Sequence, residues 1–285
     1  MKICAACSQS LPKEKFSKKQ WQLKQQRRCK ECIADNREAK SAQAPNDAEG
    51  DSKDASSVTD EDLFKEPPPN EECPICMLPL PFGDGERAYY SCCGKVICSG
   101  CVHAHQAADN RDLCPFCRTP AAASDEEVIE RIKERVAARD AGAVYQLGSY
   151  YRDGEYGMRQ NMTKAMKLWL RAGELGDARG YSRIGYAYDT GQGVGRDERK
   201  AKYYYELAAI RGNVRARHNI GIWEQRAGNM NRAMKHYMIA AGAGYDNSLK
   251  AIQECFLDGH ATKDDFEKAL WAHKEATDEM KSAQR

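Results

Sequence analysis

Thirteen cysteines form the clearest chemical pattern in this sequence of 285 residues. Five pairs have two residues between their cysteines, and Cys92 and Cys93 add two adjacent sulfurs. Two intervening residues allow both thiolates of a pair to reach one tetrahedral zinc ion from a tight turn. Twelve sulfurs divide into three sites of four ligands, so we expect about three zinc ions per chain. The five pairs are Cys4 with Cys7, Cys29 with Cys32, Cys73 with Cys76, Cys98 with Cys101, and Cys114 with Cys117.

The lack of an export signal favours metal binding over disulfide bonds. No apolar run follows the first charged residue, and no stretch approaches the roughly 18 apolar residues that cross a bilayer. We therefore expect a soluble intracellular protein of the cytoplasm and/or nucleus, without a membrane partner. Clustered cysteines in such a reducing compartment indicate metal binding or catalysis. Cys255, alone in a helical pattern, is predicted to be a small core residue.

Residues 1–37 are predicted to form a zinc finger on the first two cysteine pairs. A capping box that begins at Ser17 predicts a helix over 18–27, with Phe16 and Trp21 closing a hydrophobic staple. A unit this small has too little core to fold alone, so the metal must supply folding free energy. Its ten basic and three acidic residues make nucleic acid a possible partner, but stapling and charge balance near the thiolates are the preferred explanation.

Residues 38–72 are predicted to be a disordered acidic linker. They carry eleven acidic and three basic residues and almost no large apolar side chains. That composition cannot bury enough surface to fold. The linker ends in EPPPNEE, which predicts a short stiff polyproline piece.

Residues 73–120 hold the remaining eight clustered cysteines and are predicted to form a second zinc-bound domain. A connecting helix is expected within residues 121–139, because Ser124 and Glu127 have the spacing of a capping box and an apolar stripe follows. We therefore expect a multidomain chain. Small zinc-stabilised α+β modules precede an all-α solenoid.

The solenoid is predicted over residues 140–285 from internal repetition. Equivalent alanines recur at intervals of 36, 32 and 36 residues, which predicts about four repeats, each a helix, a glycine turn and a second helix. Stacking such pairs buries a continuous core that one pair cannot bury alone. The alanines are Ala165, Ala201, Ala233 and Ala269.

The cysteine order over 73–120 resembles that of a RING finger. The resemblance implies a cross-brace in which the first and third cysteine pairs hold one zinc ion and the second and fourth pairs hold the other. The first set is Cys73, Cys76, Cys98 and Cys101, and the second is Cys92, Cys93, Cys114 and Cys117. It also implies structural zinc, without an open coordination position.

The second set departs from the usual RING pattern at Lys95, which stands where that pattern has a histidine. The text CGKVICSGC…CPFCR is similar to the all-cysteine RING of the ubiquitin-ligase subunit of the CCR–NOT complex. There the two cysteines are separated by one residue, whereas Cys92 and Cys93 are adjacent. His103 or His105 is the alternative ligand in place of one of them.

The RING resemblance also implies a docking surface for a ubiquitin-conjugating enzyme. In the family, residues between the paired cysteines form a shallow apolar groove, and here these are Ile75, Pro115 and Phe116. Arg118, after the last cysteine, corresponds to an arginine that can bridge the conjugating enzyme and ubiquitin. Its planar fork donates several hydrogen bonds at once. The simpler alternatives are a zinc fold that only holds the chain together and an arginine that is a solvated surface charge.

Two further resemblances concern the ends of the chain. CAAC…LPKEKFSKKQW…RRCKEC resembles the Stc-one type zinc finger, a protein-binding module linked to chromatin and RNA-silencing complexes. The repeats resemble Sel-one-like repeats, with Leu147-Gly148 returning as Ile184-Gly185. That family implies an adaptor surface for other proteins.

These resemblances together lead to the hypothesis of a RING-type ubiquitin ligase, a ubiquitin-protein transferase without its own nucleophile. Its expected partners are a ubiquitin-conjugating enzyme and a protein substrate that the helical repeats select. The alternative is a non-catalytic zinc-binding scaffold that assembles chromatin- or RNA-linked protein complexes.

Overall fold

The computed structural model describes residues 2–3, 10–18, 22, 30, 58–82, 85–108 and 112–281. The chain forms two units that divide between Ser57 and Val58. In the first unit, β1 (Lys2–Ile3) pairs antiparallel with β2 (Ser10–Leu11), and a 3-10 helix (Lys13–Lys15) precedes the buried Phe16.

The predicted N-terminal zinc finger falls largely outside the described residues. Trp21 and most of the helix predicted over 18–27 lie there, and so do all four cysteines predicted to bind its zinc ion. The third zinc site of the chain therefore stays a prediction from sequence. Its four cysteines are Cys4, Cys7, Cys29 and Cys32.

The second unit begins with a short segment, residues 58–66, which we call the strap. It contains helix α1 (Asp60–Phe64), capped by the side chain of Thr59 in a full capping box with Asp62. Leu63 is 1% exposed and belongs to a core cluster of the repeats with Tyr205. The prediction of a disordered linker is therefore wrong for residues 58–66. Leu63 and Phe64 pack against a surface that the repeats form, so the segment is ordered although it has no core of its own.

Polar contacts also hold the strap. The guanidinium of Arg217, itself 2% exposed, donates to the carbonyl oxygen of Leu63 at 2.5 Å and to that of Ala209 at 2.9 Å. The ring of Phe64 packs against His236 with centroids 4.8 Å apart, and the carboxylate of Asp60 pairs with Arg232. One acidic residue of the predicted linker, Asp60, therefore complements a basic side chain of the repeats.

Residues 73–120, which we call the cysteine module, follow the strap. Strands β3 (Arg87–Tyr90) and β4 (Lys95–Cys98) form an antiparallel hairpin with Arg87 opposite Cys98, and α2 (Ser99–Ala107) follows directly. The buried apolar residues of this module are few. Leu80 and Ile97 are the members of its core cluster that are not cysteines and are fully buried.

Helix α3 (Asp125–Ala137) connects the cysteine module to the repeats. The Ser124 hydroxyl accepts from the backbone N–H of Glu127, as a capping box requires. The carboxylate of Glu127, however, accepts from the N–H of Ala123 at 2.8 Å, so only half of the predicted box forms. Ile132 of the apolar stripe is fully buried, which directs this face of the helix inward.

Four antiparallel helix pairs make up the rest of the second unit. The pairs are α4 (Ala141–Asp153) with α5 (Met162–Glu174), α6 (Ala178–Thr190) with α7 (Glu198–Ala209), α8 (Val214–Arg226) with α9 (Met230–Gly242), and α10 (Asp246–Leu257) with α11 (Lys263–Met280). Consecutive helices pack against each other, which confirms the predicted all-α solenoid. Among the described residues, no helix combines the length and apolarity that a bilayer crossing requires.

Small residues set the spacing of the helices. The four alanines that recur in the sequence are at most 1% exposed, so each lies at the interface of its own pair. Gly154 and Gly191 end α4 and α6 in the left-handed conformation, with φ of 74° and 75°. Glycine reaches this region without steric cost, which explains the glycine turn after the first helix of these repeats. Cys255 is 1% exposed in the core of the last two helix pairs.

Gly180 provides a direct test of this close packing. A Cβ atom at Gly180, in α6, would overlap the carbonyl oxygen of Trp169 in α5. We expect Gly180→Ala to lower the free energy of unfolding by about 1–3 kcal/mol, because backbone must move to accept the methyl group. Urea unfolding followed by circular dichroism measures this change.

The matched control is Gly195→Ala, where a Cβ atom would meet no atom within 4 Å. Alanine favours a helix by roughly 0.5–1 kcal/mol over glycine, so propensity alone predicts that Gly180→Ala stabilises the protein. A variant as stable as wild type or more stable would show that α5 and α6 do not approach as closely as described.

Candidate metal centres

Eight cysteines of the cysteine module form two groups of four. One group is Cys73, Cys76, Cys98 and Cys101, and the other is Cys92, Cys93, Cys114 and Cys117; within each group all sulfurs lie within 4.8 Å of one another. The sulfurs of Cys76 and Cys98 are 3.8 Å apart, as are those of Cys93 and Cys114. Tetrahedral zinc with Zn–S bonds of about 2.3 Å separates its sulfurs by about 3.8 Å. Both groups could therefore hold a metal ion of zinc's size and softness, and their membership matches the partition that the sequence resemblance implies.

The first and last cysteine pairs lie on two loops of the same local structure. The N–H of Cys73 donates to the carbonyl of Leu78 at 2.8 Å, and the N–H of Cys114 donates to that of Thr119 at 2.8 Å. The residue after each pair, Met77 or Arg118, is left-handed, with φ of 58° or 62°. Residues other than glycine seldom adopt this backbone conformation. The hydrogen-bonded loop must therefore compensate the strain at these two positions. The repeated text CPICM and CPFCR encodes this shared loop.

The adjacent pair Cys92/Cys93 lies in the turn of the β3–β4 hairpin. The sulfur of Cys92 is 3.4 Å from that of Cys117, while Cys93 contacts Cys114. Both adjacent sulfurs therefore lie within reach of the last pair. The tight turn resolves the strain that adjacent ligands would impose on an extended chain.

A polar clamp from outside the cysteine module fixes this turn. The guanidinium of Arg135, in α3, donates to the carbonyl oxygens of Ser91 at 2.7 Å and Cys92 at 2.9 Å. It also pairs with the carboxylate of Asp140 at 3.0 Å, and the hydroxyl of Tyr89 donates to the same oxygen at 3.2 Å. Such contacts orient ligands from behind, as supporting residues commonly do at metal sites.

Each group contains thiols that ionise readily and thiols that resist ionisation. Hydrogen bonds to the sulfur outweigh burial and lower the pKa of the Cys73 thiol to about 7 and that of the Cys117 thiol to about 6. Burial, together with the nearby thiols of Cys114 and Cys117, raises the pKa of the Cys93 thiol to about 11. Burial also raises the pKa of the Cys101 thiol. Four negative sulfurs cannot share so small a volume unless a positive charge lies between them. A bound divalent ion would supply that charge and keep all four thiols deprotonated.

The histidines considered as alternative ligands lie elsewhere. The Nε2 atom of His105 is 3.1 Å from the carbonyl oxygen of Leu113, and its Nδ1 atom is 3.4 Å from Nη1 of Arg118. His103 is exposed on α2 and belongs to neither cysteine group. The structure therefore brings Cys92, rather than a histidine, to the second group.

The predicted docking residues lie on the two strained loops. Ile75 and Phe116 are 40% and 44% exposed, which is unusual for large apolar side chains. Pro115 is half-buried and Arg118 is exposed. The ammonium group of Lys95 lies 5.8 Å from the centre of the Phe116 ring. A lysine therefore stands beside this surface at the position where the usual RING pattern has a histidine.

Sequence reasoning missed the clamp of Arg135, Asp140 and Tyr89. More than forty residues separate Arg135 from the carbonyls that it binds, and no local pattern marks such a pairing.

The helix of the strap, in contrast, did have a signal in the sequence. The text TDEDLF combines a capping box with two apolar residues, which is typical of a short helix.

Comparison with known proteins identifies the repeats. The protein-family model described as Sel1 repeat matches residues 141–177 and 178–213. A Sel1 repeat protein of Oxalobacter formigenes has 26% identity and a TM-score of 0.48 over 54% of this chain and 64% of its own. A protective antigen of uropathogenic Escherichia coli that displays an SLR fold has 25% identity and a TM-score of 0.46, over 54% of this chain and 33% of its own. This chain thus spans less than two thirds of the length of either protein. The Sel1-repeat model therefore matches the first two of the four helix pairs of the solenoid.

Proposed function

We propose that this protein is a RING-type ubiquitin ligase whose cysteine module docks a ubiquitin-conjugating enzyme and whose repeats bind a protein substrate or partner. One observation carries the proposal. The interleaved cysteine groups hold Ile75 and Phe116 exposed on two loops of the same structure. A module that served only to bind metal would have no need of large apolar side chains in solvent.

In this proposal the protein contributes position rather than a nucleophile. Zinc bound by four thiolates is structural, because no coordination position stays open. The exposed side chain of Arg118 projects from the last loop, where it can donate to a carbonyl of the docked enzyme and to ubiquitin together. Holding a tethered reactant in its productive geometry is a sufficient source of rate.

The repeats supply the other half of the proposed function. Sel1 repeats support a role as a protein-interaction scaffold, and their helix pairs offer an extended surface. The clamp between Arg135 and the hairpin turn joins the cysteine module to the connecting helix α3, which packs against the first repeat. A partner bound to the repeats would therefore lie at a defined distance from the docked enzyme.

The second candidate function is a non-catalytic zinc-binding scaffold for chromatin- or RNA-linked complexes. The same clamp favours it, because an assembly platform also needs its modules held rigidly together. The two candidates differ in what they require of the exposed loop residues. Only the ligase needs Ile75, Phe116 and Arg118.

Replacing Ile75 separates the two candidates. We expect Ile75→Ala to reduce self-ubiquitination at least several-fold with unchanged zinc content. It removes an exposed apolar contact without touching a cysteine. Truncating a central interface residue commonly costs about 1–4 kcal/mol, and 1.4 kcal/mol is about tenfold in binding. The measurement is a ubiquitination assay on purified protein with a panel of conjugating enzymes. Leu257→Ala is the control, since Leu257 is 73% exposed but lies on the repeats.

Arg118→Ala should slow discharge of ubiquitin from a charged conjugating enzyme more than it weakens binding of the uncharged enzyme. Its proposed partner is partly ubiquitin itself. If the wild-type protein discharges no enzyme of the panel, and neither loop variant changes any measured rate, the ligase proposal fails and the scaffold replaces it.

A further inference from the structure

A cavity of about 440 Å³ lies between the start of the cysteine module and the first turns of α6 and α8. Its walls come from the proline segment at 68–71, from strand β3, and from the repeats. Five arginines line it, against the two carboxylates of Glu71 and Asp177. The arginines are Arg87, Arg179, Arg183, Arg211 and Arg215.

The two carboxylates do not neutralise these arginines. Asp177 is committed to Arg179, which it binds through both oxygens at 2.9 and 2.5 Å. Arg183 donates to the hydroxyl of Tyr145 at 3.2 Å and pairs with no carboxylate of the described residues. The guanidinium of Arg87 makes neither a hydrogen bond nor an ion pair with any residue that the structure describes. Positive charge therefore exceeds negative charge on the cavity wall.

The surroundings of Arg87 in the cavity wall disfavour its positive charge. Burial lowers the pKa of its guanidinium, the positive charge of Arg179 lowers it further, and Glu71 opposes the shift. The Arg87 residue is half-buried, and a partly desolvated guanidinium without a partner would be stabilised by an anion beside it. The starts of α6 and α8 add to the positive potential, because helix N-termini carry a partial positive charge.

We propose that this cavity binds a short acidic peptide segment of a partner protein, with its carboxylates paired to Arg87 and Arg183. Arginine matches carboxylates because its planar fork forms two parallel hydrogen bonds. Leu80, Phe82 and Tyr186 also line the cavity, so apolar side chains beside the acidic ones would be buried as well. Glu71 on the wall disfavours a continuous polyanion such as a nucleic acid.

The position of the cavity joins it to the cysteine module. Arg87 begins strand β3 and lies opposite Cys98 in the hairpin, while Arg183 belongs to the second repeat. Arg215 of the third repeat donates to the carbonyl oxygen of Phe82 at 2.6 Å, which closes the wall between them. An acidic segment bound here would contact both the cysteine module and the repeats. The inference concerns binding alone and does not depend on ligase activity.

Fluorescence anisotropy with the full chain tests the proposal. The probe is a labelled peptide with two Asp-Glu pairs flanking a leucine, and its control carries Asn-Gln in their place. We expect the acidic peptide to bind and its amide analogue not to bind. Arg87→Gln/Arg183→Gln should weaken binding at least about tenfold, because both charge-assisted hydrogen bonds to the peptide carboxylates are lost. Arg199→Gln, an exposed arginine of α7 outside the cavity, should bind as wild type does.

Melting curves verify that each variant is folded. If the double variant is not, Arg87→Gln alone serves, because its side chain makes no hydrogen bond within the described residues whose loss would unfold the protein. Equal binding of the two peptides, no binding of the acidic peptide, or wild-type affinity in the arginine variants would overturn the proposal. Tighter binding of a short single-stranded DNA through the same arginines would overturn it in favour of nucleic acid. The assay contains no ubiquitin, so its failure is distinct from failure of the proposed ligase function.

Discussion

A Cys98→Ser variant should bind one zinc ion fewer than the wild-type protein and should lose the fold of residues 73–120. Cys98 is fully buried in the first cysteine group, beside a core with few other apolar side chains. Structural zinc contributes roughly 10–16 kcal/mol of binding free energy in small metal-folded domains, which such a core cannot replace. Metal analysis per chain and limited proteolysis of residues 73–120 measure the two losses. The helical circular dichroism of the repeats should persist, because their core is separate.

The control is Cys255→Ala, which removes a buried cysteine outside both groups and should leave the zinc content unchanged. Cys92→Ser is the more demanding variant. It should also lose one zinc ion, because the sulfur of Cys92 lies 3.4 Å from that of Cys117. If Cys98→Ser retains every zinc ion, the first group is not a metal site. If Cys98→Ser loses a zinc ion but Cys92→Ser retains every one, the second cysteine group takes a ligand other than Cys92.

A Leu63→Ala variant should lower the free energy of unfolding by about 2–5 kcal/mol. Leu63 is 1% exposed and packs among Tyr205, Ala209 and Ile220 of the repeats, so the truncation leaves a cavity in a packed core. Urea unfolding followed by circular dichroism measures the change. Loss of the anchor should also make residues 58–66 more susceptible to proteolysis than in the wild type.

Leu257→Ala is the matched control, because it makes the same chemical change at a side chain that is 73% exposed. An exposed substitution of this kind usually changes stability by no more than about 0.5 kcal/mol. If Leu63→Ala is equally silent, the strap does not dock on the repeats, and the sequence-based prediction of a disordered linker is correct for residues 58–66.

Patterns that depend on near neighbours in the chain were accessible from sequence. The repeat period, the recurring alanines and the helix pairs follow from helical periodicity, which a sequence displays directly. The Cys-x2-Cys spacing likewise identified candidate ligands, because one tight turn brings both sulfurs together. The adjacent pair Cys92/Cys93 was harder. Two cysteines with no residue between them are not expected to bind one metal ion easily. Only the structure of the hairpin turn shows that their sulfurs reach Cys117 and Cys114.

The sequence by itself therefore determined a zinc-suited cysteine array followed by a helical-repeat solenoid. The tertiary structure alone decided how these parts meet. Arg217 binds the carbonyl of Leu63 across 154 positions, and Arg215 binds that of Phe82 across 133. The strap was misjudged from composition for the same reason. A segment with only Leu63 and Phe64 to bury cannot fold alone, but it can dock on a surface that distant residues have already built. Composition records what a segment contains, whereas burial depends on what the rest of the chain places beside it.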